Sequence, residues 1–227
     1  MTMPFPAPGG HEPGFRTLAV KPVVFVVDDD VSFCGFLKSL IESAGWQSET
    51  FASAGEFLSR PRSLVPSCLV LDVGLPDISG LEVQQRLADR GDMPIIFITG
   101  HVDVAMTVRA MKAGAAEFLT KPFKSDVLLE AIGHAVERSR AAIDQEAEMQ
   151  ALRARYAALS RREREVMALV VAGRLNKQVS AELGISEITV KAHRGKMMRK
   201  MSARCLPDLV SMAAKLNSLP PPQRSRV

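Results

Sequence analysis

Val23-Val24-Phe25-Val26-Val27-Asp28-Asp29-Asp30 sets an unbroken apolar run directly before three carboxylates, and four residues of that run are valine. Five residues are too few for a helix, and β-branched side chains favour a strand. Working outward, Phe33, Phe36, Leu37, Leu40 and Ile41 recur at helical spacing. Trp46–Phe51 is a weak strand, and 55–59 reads as a short helix. Cys68–Leu71 is apolar and ends at Asp72, and Leu81, Val83 and Leu87 sit in a helix begun near Ser79. Ile95–Ile98 is a fourth apolar run, Val104–Lys112 another helix, and Ala115–Leu119 a fifth strand. Alternation of this kind predicts an α/β domain, a five-stranded parallel sheet covered on both faces.

Ligands of such sheets gather at the carboxyl ends of the strands. Asp28, Asp29 and Asp30 follow the first strand, Asp72 ends the third, Thr99 ends the fourth, and Lys121 follows the fifth. Carboxylates crowded at one edge repel each other unless a cation neutralises them. Oxygen ligands with room for water suit Mg²⁺. With a lysine and a hydroxyl beside them, they make a site for a transferring phosphoryl group. The Asp72 carboxylate would be the nucleophile and form an acyl phosphate. Taken singly, each piece has a plainer reading: the Asp run as a solvated turn, and Asp72 as a strand-end cap.

The second half of the chain differs. From Val20 to Asp126 there are ten Lys and Arg against fourteen Asp and Glu, but from Ser160 to Asn217 there are twelve against five. An acidic first half and a basic second half predict two domains with different partners, the second suited to a polyanion such as DNA. Between Gly133 and Gly173 there is no Gly or Pro, so Asp126–Ala158 reads as one long helix or two in tandem. Met149, Leu152, Tyr156 and Leu159 form a short seam within it, either for self-association or for packing on the same chain. Ser160-Arg161-Arg162-Glu163 is a capping box that starts a helix ended by Gly173. A short helix near Lys177–Leu183, a Gly184-Ile185-Ser186 turn, a helix to about Met201 and a last one from Pro207 to Leu216 follow. The expected organisation is a disordered arm over 1–19, an α/β domain over 20–137, a helical linker over 138–158, a helical domain over 159–217 and a disordered tail over 218–227.

Among 227 residues the apolar share is 47%, enough for packed cores. Cys34, Cys68 and Cys205 are far apart with no CxxC pair, which leaves zinc and dithiol chemistry unsupported and fits a cytoplasmic, reducing setting. No apolar run approaches ~20 residues, so no membrane partner is expected.

Val26-Val27-Asp28-Asp29-Asp30, Leu71-Asp72-Val73-Gly74-Leu75-Pro76-Asp77-Ile78-Ser79-Gly80, Ile98-Thr99-Gly100-His101 and Ala110-Met111-Lys112-Ala113-Gly114-Ala115 with Phe118-Leu119-Thr120-Lys121-Pro122-Phe123 resemble response-regulator receivers, most of all the FixJ-like group. The resemblance implies a doubly wound, flavodoxin-like fold. It implies that Asp72 accepts phosphate from a sensor histidine kinase. Asp29, Asp72 and the Gly74 carbonyl would ligate Mg²⁺ directly and Asp28 through water. Lys121 would bond a phosphoryl oxygen, the Lys121–Pro122 bond would be cis, Thr99 would move toward the phosphate, and Phe118 would turn inward behind it. Phe118 is equally readable as plain core, and Asp30 as a solvated bystander. Position 74 departs from the family, which more often carries a longer polar side chain there; glycine leaves the acyl phosphate open to water.

Leu159-Ser160-Arg161-Arg162-Glu163-Arg164-Glu165-Val166, Gly173, Asn176-Lys177, Ile185-Ser186, Thr189-Val190-Lys191-Ala192-His193 and Lys200-Met201 resemble the all-α, four-helix LuxR-type helix-turn-helix domain of FixJ and NarL regulators. At 100° per residue, Val190, Met197 and Met201 share an inward face, with Ile188, Lys191, Ala192, Gly195 and Arg199 opposite. The second helix of such a motif enters the major groove. Base-edge contacts fall to Lys191, Ala192 and Gly195, with Arg194 and Arg199 near them. Lys177, Thr189, His193 and Lys200 would hold phosphates. The plainer alternatives are a solvated face for Lys196, Arg199 and Lys200, and a packed helix residue for His193. The last helix, with Leu206, Leu209, Val210 and Met212, is either a dimer surface, as the resemblance implies, or core.

The expected function is phosphorylation-dependent regulation of transcription, with double-stranded promoter DNA, RNA polymerase and a second copy of the chain as partners. A phosphotransfer sink and a phosphorylation-independent DNA-binding regulator are the other readings. An output enzyme is disfavoured, because no nucleophile–base set follows residue 140.

Overall fold

A computed structural model describes residues 21–62, 64–100 and 103–217. The expected N-terminal arm and C-terminal tail lie outside them, as do Ser63, His101 and Val102. The chain divides into two compact units, one ending at Ile143 and one beginning at Asp144.

In the first unit, β1 (Val23–Val27), β2 (Gln47–Phe51), β3 (Ser67–Asp72), β4 (Ile95–Thr99) and β5 (Glu117–Thr120) form one sheet in the order β2-β1-β3-β4-β5, all pairs parallel. The helices between them are α1 (Val31–Ser43), α2 (Ala54–Ser59), α3 (Gly80–Arg86) and α4 (Val104–Lys112), and α5 (Ser125–Ala157) follows β5. Alternate residues of each strand face opposite sides. Phe25, Leu69, Leu71 and Phe97 meet Phe57 of α2, Val83 of α3 and Ala110 of α4. Val24, Val26, Val70, Ile96 and Ile98 meet Leu37 and Ile41 of α1 and Leu128 and Ile132 of α5. With both faces covered, the central strands read as continuous apolar runs, as Val23–Val27 does. The sheet is doubly wound, as expected.

Two glycine positions are set by the backbone, one by a close approach at the carboxyl edge and one by a turn. A Cβ on Gly80 would come within 2.9 Å of the Asp72 carbonyl oxygen and 3.1 Å of Phe97 Cε1, so α3 starts against the backbone of β3 only because residue 80 has no side chain. Gly114 turns the chain at φ 92° between α4 and β5. The fifth strand begins at Glu117 rather than Ala115, because pairing with β4 starts at Ile96 opposite Glu117.

In the second unit, the last part of α5 is followed by α6 (Arg161–Val171), α7 (Asn176–Leu183), α8 (Glu187–Met201) and α9 (Leu206–Asn217). The capping box forms: the Glu163 backbone N–H donates to Ser160 Oγ, and the Ser160 N–H donates to Glu163 Oε2. Gly184 in the left-handed region closes α7, and Ser186 caps α8 through the Thr189 N–H. Leu152, Leu159, Val166, Val170, Val179, Val190, Met197, Met201 and Leu209 make one core. The α5 seam is therefore used inside this unit, with Leu152 and Leu159 buried and Met149 packed beside them. On α9, Leu209 is core, whereas Leu206 and Val210 are exposed. No described helix is long and apolar enough to cross a membrane.

Candidate functional site

Because β1 and β3 are neighbours and β5 follows β4, the strand ends carry Asp28, Asp72, Thr99 and Lys121 to one edge. Asp28 is 1% exposed, Asp72 8% and Thr99 6%. The Lys121 ammonium donates to Asp28 Oδ2 at 2.6 Å and to Asp72 Oδ1 at 3.2 Å. The other oxygens are also engaged: Asp28 Oδ1 accepts the Asp30 N–H at 2.9 Å, and Asp72 Oδ2 accepts the Gly74 N–H at 2.8 Å. Burial works against the charge on Lys121, but the Asp28 and Asp72 carboxylates outweigh it and hold its pKa above the usual lysine value. The Cys34 thiol donates to the Asp28 carbonyl oxygen, and burial, followed by the nearby Asp28 charge, pushes its pKa up.

The expected metal ligands Asp28, Asp29, Asp72 and Gly74 lie in and just after the carboxyl ends of β1 and β3. Among the described residues, no three His, Cys, Asp or Glu side chains are gathered at metal-holding distance. Lys121 stands between Asp28 and Asp72 and supplies the positive charge, while Asp29 is exposed beside them. The donor chemistry still fits a hard divalent ion, since Asp28 Oδ2 and Asp72 Oδ1 converge on one cationic centre and the Asp29 carboxylate is adjacent in the chain. Asp30 is no bystander: its carboxylate caps α1 by accepting the Ser32 and Phe33 N–H groups. Phe118 is half-buried with its ring centroid 6.1 Å from that of Phe97, and the Lys121–Pro122 peptide is cis.

On α8, Val190, Met197 and Met201 are fully buried, so the inward face is the expected one. Ile188 is 81% exposed, and Lys191, Ala192 and Arg199 are exposed with it. A Cβ on Gly195 would meet nothing closer than Arg199 Nη1 at 3.9 Å, so the fold itself does not need a glycine there. Lys177 is exposed; Thr189 and His193 are half-buried, and the buried Nδ1 of His193 has no hydrogen-bond partner among the described residues.

Two cations of the expected DNA set have partners in the chain. Arg194 Nη1 donates to Asn176 Oδ1 at 2.5 Å, tying α8 to α7. Lys200 Nζ donates to Glu163 Oε2 at 2.7 Å and to the Ala158 carbonyl oxygen at 3.1 Å. Lys200 thus also braces α8 against the start of α6, while its side chain stays 40% exposed. Asp30 announces itself in sequence as an Asp just before a helical pattern. The Lys200–Glu163 pair spans 37 residues and has no local signature.

Comparisons with known proteins agree on both halves. The model of the response regulator receiver domain matches residues 24–133, and that of the luxR family of bacterial regulatory proteins matches residues 157–213. Nodulation protein W of Bradyrhizobium diazoefficiens is 48% identical over 209 residues, covering 92% of this chain and 90% of that one. The transcriptional regulatory protein FixJ of the same organism is 38% identical over 203 residues, covering 89% and 99%. The solved structure of the response regulator StyR superposes with a TM-score of 0.79 at 44% identity, covering 86% of this chain and all of that one. The chain belongs to the response-regulator family, in the FixJ/NarL branch that joins a receiver domain to a LuxR-type helix-turn-helix domain.

Proposed function

We propose that this chain is a cytoplasmic transcription regulator switched by phosphorylation of Asp72. The observation that carries the reading is the convergence of Asp72 and Asp28 on Lys121 at the carboxyl edge of the sheet, in a chain whose other unit presents a basic helix.

An Asp72 carboxylate oxygen attacks the phosphorus of a phosphohistidine on a sensor histidine kinase. The P–O bond forms as the P–N bond breaks, the imidazole leaves and takes up a proton, and Asp72 becomes an acyl phosphate. Lys121 exchanges a carboxylate partner for a phosphoryl oxygen, so positive charge is in place before the phosphoryl arrives. The Thr99 hydroxyl approaches another phosphoryl oxygen, and Phe118 follows it inward. Mg²⁺, held by Asp28, Asp29, Asp72 and the Gly74 carbonyl, would neutralise charge on the phosphoryl oxygens when bound.

The output is binding to double-stranded promoter DNA as a homodimer, with RNA polymerase as the further partner. We assign base edges to Lys191, Ala192 and Gly195, with Arg199 and Arg194 beside them. Lys177, Thr189 and His193 hold phosphates. Lys200, partly exposed, reaches a phosphate with its third N–H or by giving up Glu163. The receiver catalyses its own phosphorylation and dephosphorylation and no other reaction.

The test is labelling with acetyl phosphate and Mg²⁺, followed by sedimentation with and without promoter DNA. Wild type takes up label that Asp72→Ala and chelator abolish, and the labelled protein dimerises. Equal labelling of wild type and Asp72→Ala overturns the acceptor assignment, and a labelled protein that stays monomeric on DNA overturns the dimer. Labelling with no effect on DNA binding points to a phosphotransfer sink.

A further inference from the structure

Among the described residues, three groups act on the Lys121 ammonium, and two of them are carboxylates. The third is Phe33, whose ring centroid lies 4.1 Å from Lys121 Nζ. A cation at that distance over an aromatic ring is attracted by the ring quadrupole. The ring is well fixed. The Phe33 N–H donates to the Asp30 carboxylate in the first turn of α1. The ring meets Phe123 edge-on at 6.1 Å and Phe36 at 6.2 Å. Phe123 lies two residues beyond Lys121, so one loop supplies both the ammonium and the support of the ring beneath it.

We propose that Phe33 is a positioning residue for phosphoryl transfer: its ring, over which the ammonium sits, holds Lys121 at the point where Asp28 and Asp72 converge. The proposal rests on Asp72 being the phosphoacceptor. A lysine side chain carries several rotatable bonds, and an ammonium free to sample them must be gathered up each time a phosphoryl group arrives. The ring restricts that sampling without adding a hydrogen bond that the phosphate would have to break. Lys121 can then trade a carboxylate oxygen for a phosphoryl oxygen while staying on the same aromatic face. An aliphatic residue at 33 would fill the same space beside Phe123 but would lack the quadrupole.

The experiment uses the full chain with ¹³C-labelled lysine. The Lys121 ε-methylene signal, assigned by its loss in Lys121→Arg, is expected to show an upfield ring-current displacement in unphosphorylated, metal-free protein. Phe33→Leu and Phe33→Met remove that displacement and slow Asp72 labelling from acetyl phosphate about fivefold, whereas Phe33→Trp keeps both near wild type. An undisplaced wild-type signal, wild-type labelling rates in Phe33→Leu and Phe33→Met, or a Phe33→Trp as slow as they are would each overturn the proposal. A wild type with the displaced signal but no label on Asp72 would sink the phosphoacceptor reading, and with it the role of the contact, while the contact itself stood demonstrated.

Discussion

The Lys200 ammonium and the Glu163 carboxylate meet at 2.7 Å, and the same carboxylate oxygen accepts the Ser160 N–H at 2.8 Å. One glutamate thus completes the cap of α6 and holds the C-terminal turn of α8. Glu163 is 3% exposed, so its charge depends on those partners.

Replacing Lys200 tests whether it is a strut or a phosphate holder. The hydrogen bond from Lys200, and next that from the Ser160 N–H, hold the Glu163 pKa below the usual glutamate value. A carboxyl lowered in the folded state stabilises the fold fully above its unfolded pKa of 4.5, and that contribution is lost as pH falls through the lower folded value. Lys200→Met should therefore cost about 1–2 kcal/mol at pH 7, a figure reduced because the ammonium is partly exposed. The deficit should shrink below pH 4.5. Urea denaturation at both pH values checks this, and a deficit independent of pH would count against the pair.

Gly74 bears on how long the phosphorylated state lasts. Its N–H holds Asp72 Oδ2, and a Cβ added there would lie 3.3 Å from that oxygen. That is tight but tolerable at an exposed loop position, so a side chain can be placed beside the acceptor. Gly74→Arg should shield the acyl phosphate from water and slow its hydrolysis severalfold, as followed by loss of label after the donor is removed. Faster or unchanged decay would refute the shielding argument.

Gly80 offers a purely steric test. The added methyl of Gly80→Ala would meet the Asp72 carbonyl oxygen at 2.9 Å and the Val73 Cα at 3.1 Å, both backbone atoms that cannot rotate away. The expected cost is about 1–3 kcal/mol of stability. An unchanged denaturation midpoint would mean that α3 can slide from β3 without penalty.

Much of the phosphoryl-transfer site was legible because strand ends are legible. Val23–Val27 must be a strand, so Asp28 must end it, and the same logic places Asp72 and Lys121. Parallel pairing then brings Lys121 to Asp28 across 93 residues. What was not legible depends on side-chain direction. Nothing local says that the Phe33 ring faces Lys121 rather than the core, or that Lys200 turns toward α6 rather than toward solvent. The α5 seam could not be assigned from its spacing for a related reason: apolar spacing identifies a buried face but not what buries it. Leu152 and Leu159 are buried by their own unit.

The proposed DNA contacts are of two kinds, and Lys191 and Lys177 separate them. Lys191 is exposed on the face opposite Val190, Met197 and Met201, whereas Lys177 is exposed at the first turn of α7. If α8 lies in the major groove, Lys191 reaches base edges and Lys177 reaches a phosphate. Lys191→Ala should then cost about 1–3 kcal/mol on the preferred site and flatten discrimination between sites. Lys177→Ala should weaken preferred and scrambled duplexes alike and lower the salt dependence by about one counterion. Lys200→Met, measured where the protein is fully folded, should leave that salt dependence at the wild-type value, because its charge is already spent on Glu163. Competition binding at two salt concentrations on both duplexes reads all three variants. A loss of sequence preference in Lys177→Ala with uniform weakening in Lys191→Ala would place α7 rather than α8 at the base edges. A reduced salt slope in Lys200→Met would show that DNA reaches Lys200 through its third N–H or by drawing it away from Glu163. Affinity unchanged in all three would leave the basic helix outside the groove, and the DNA-binding reading would fall with it.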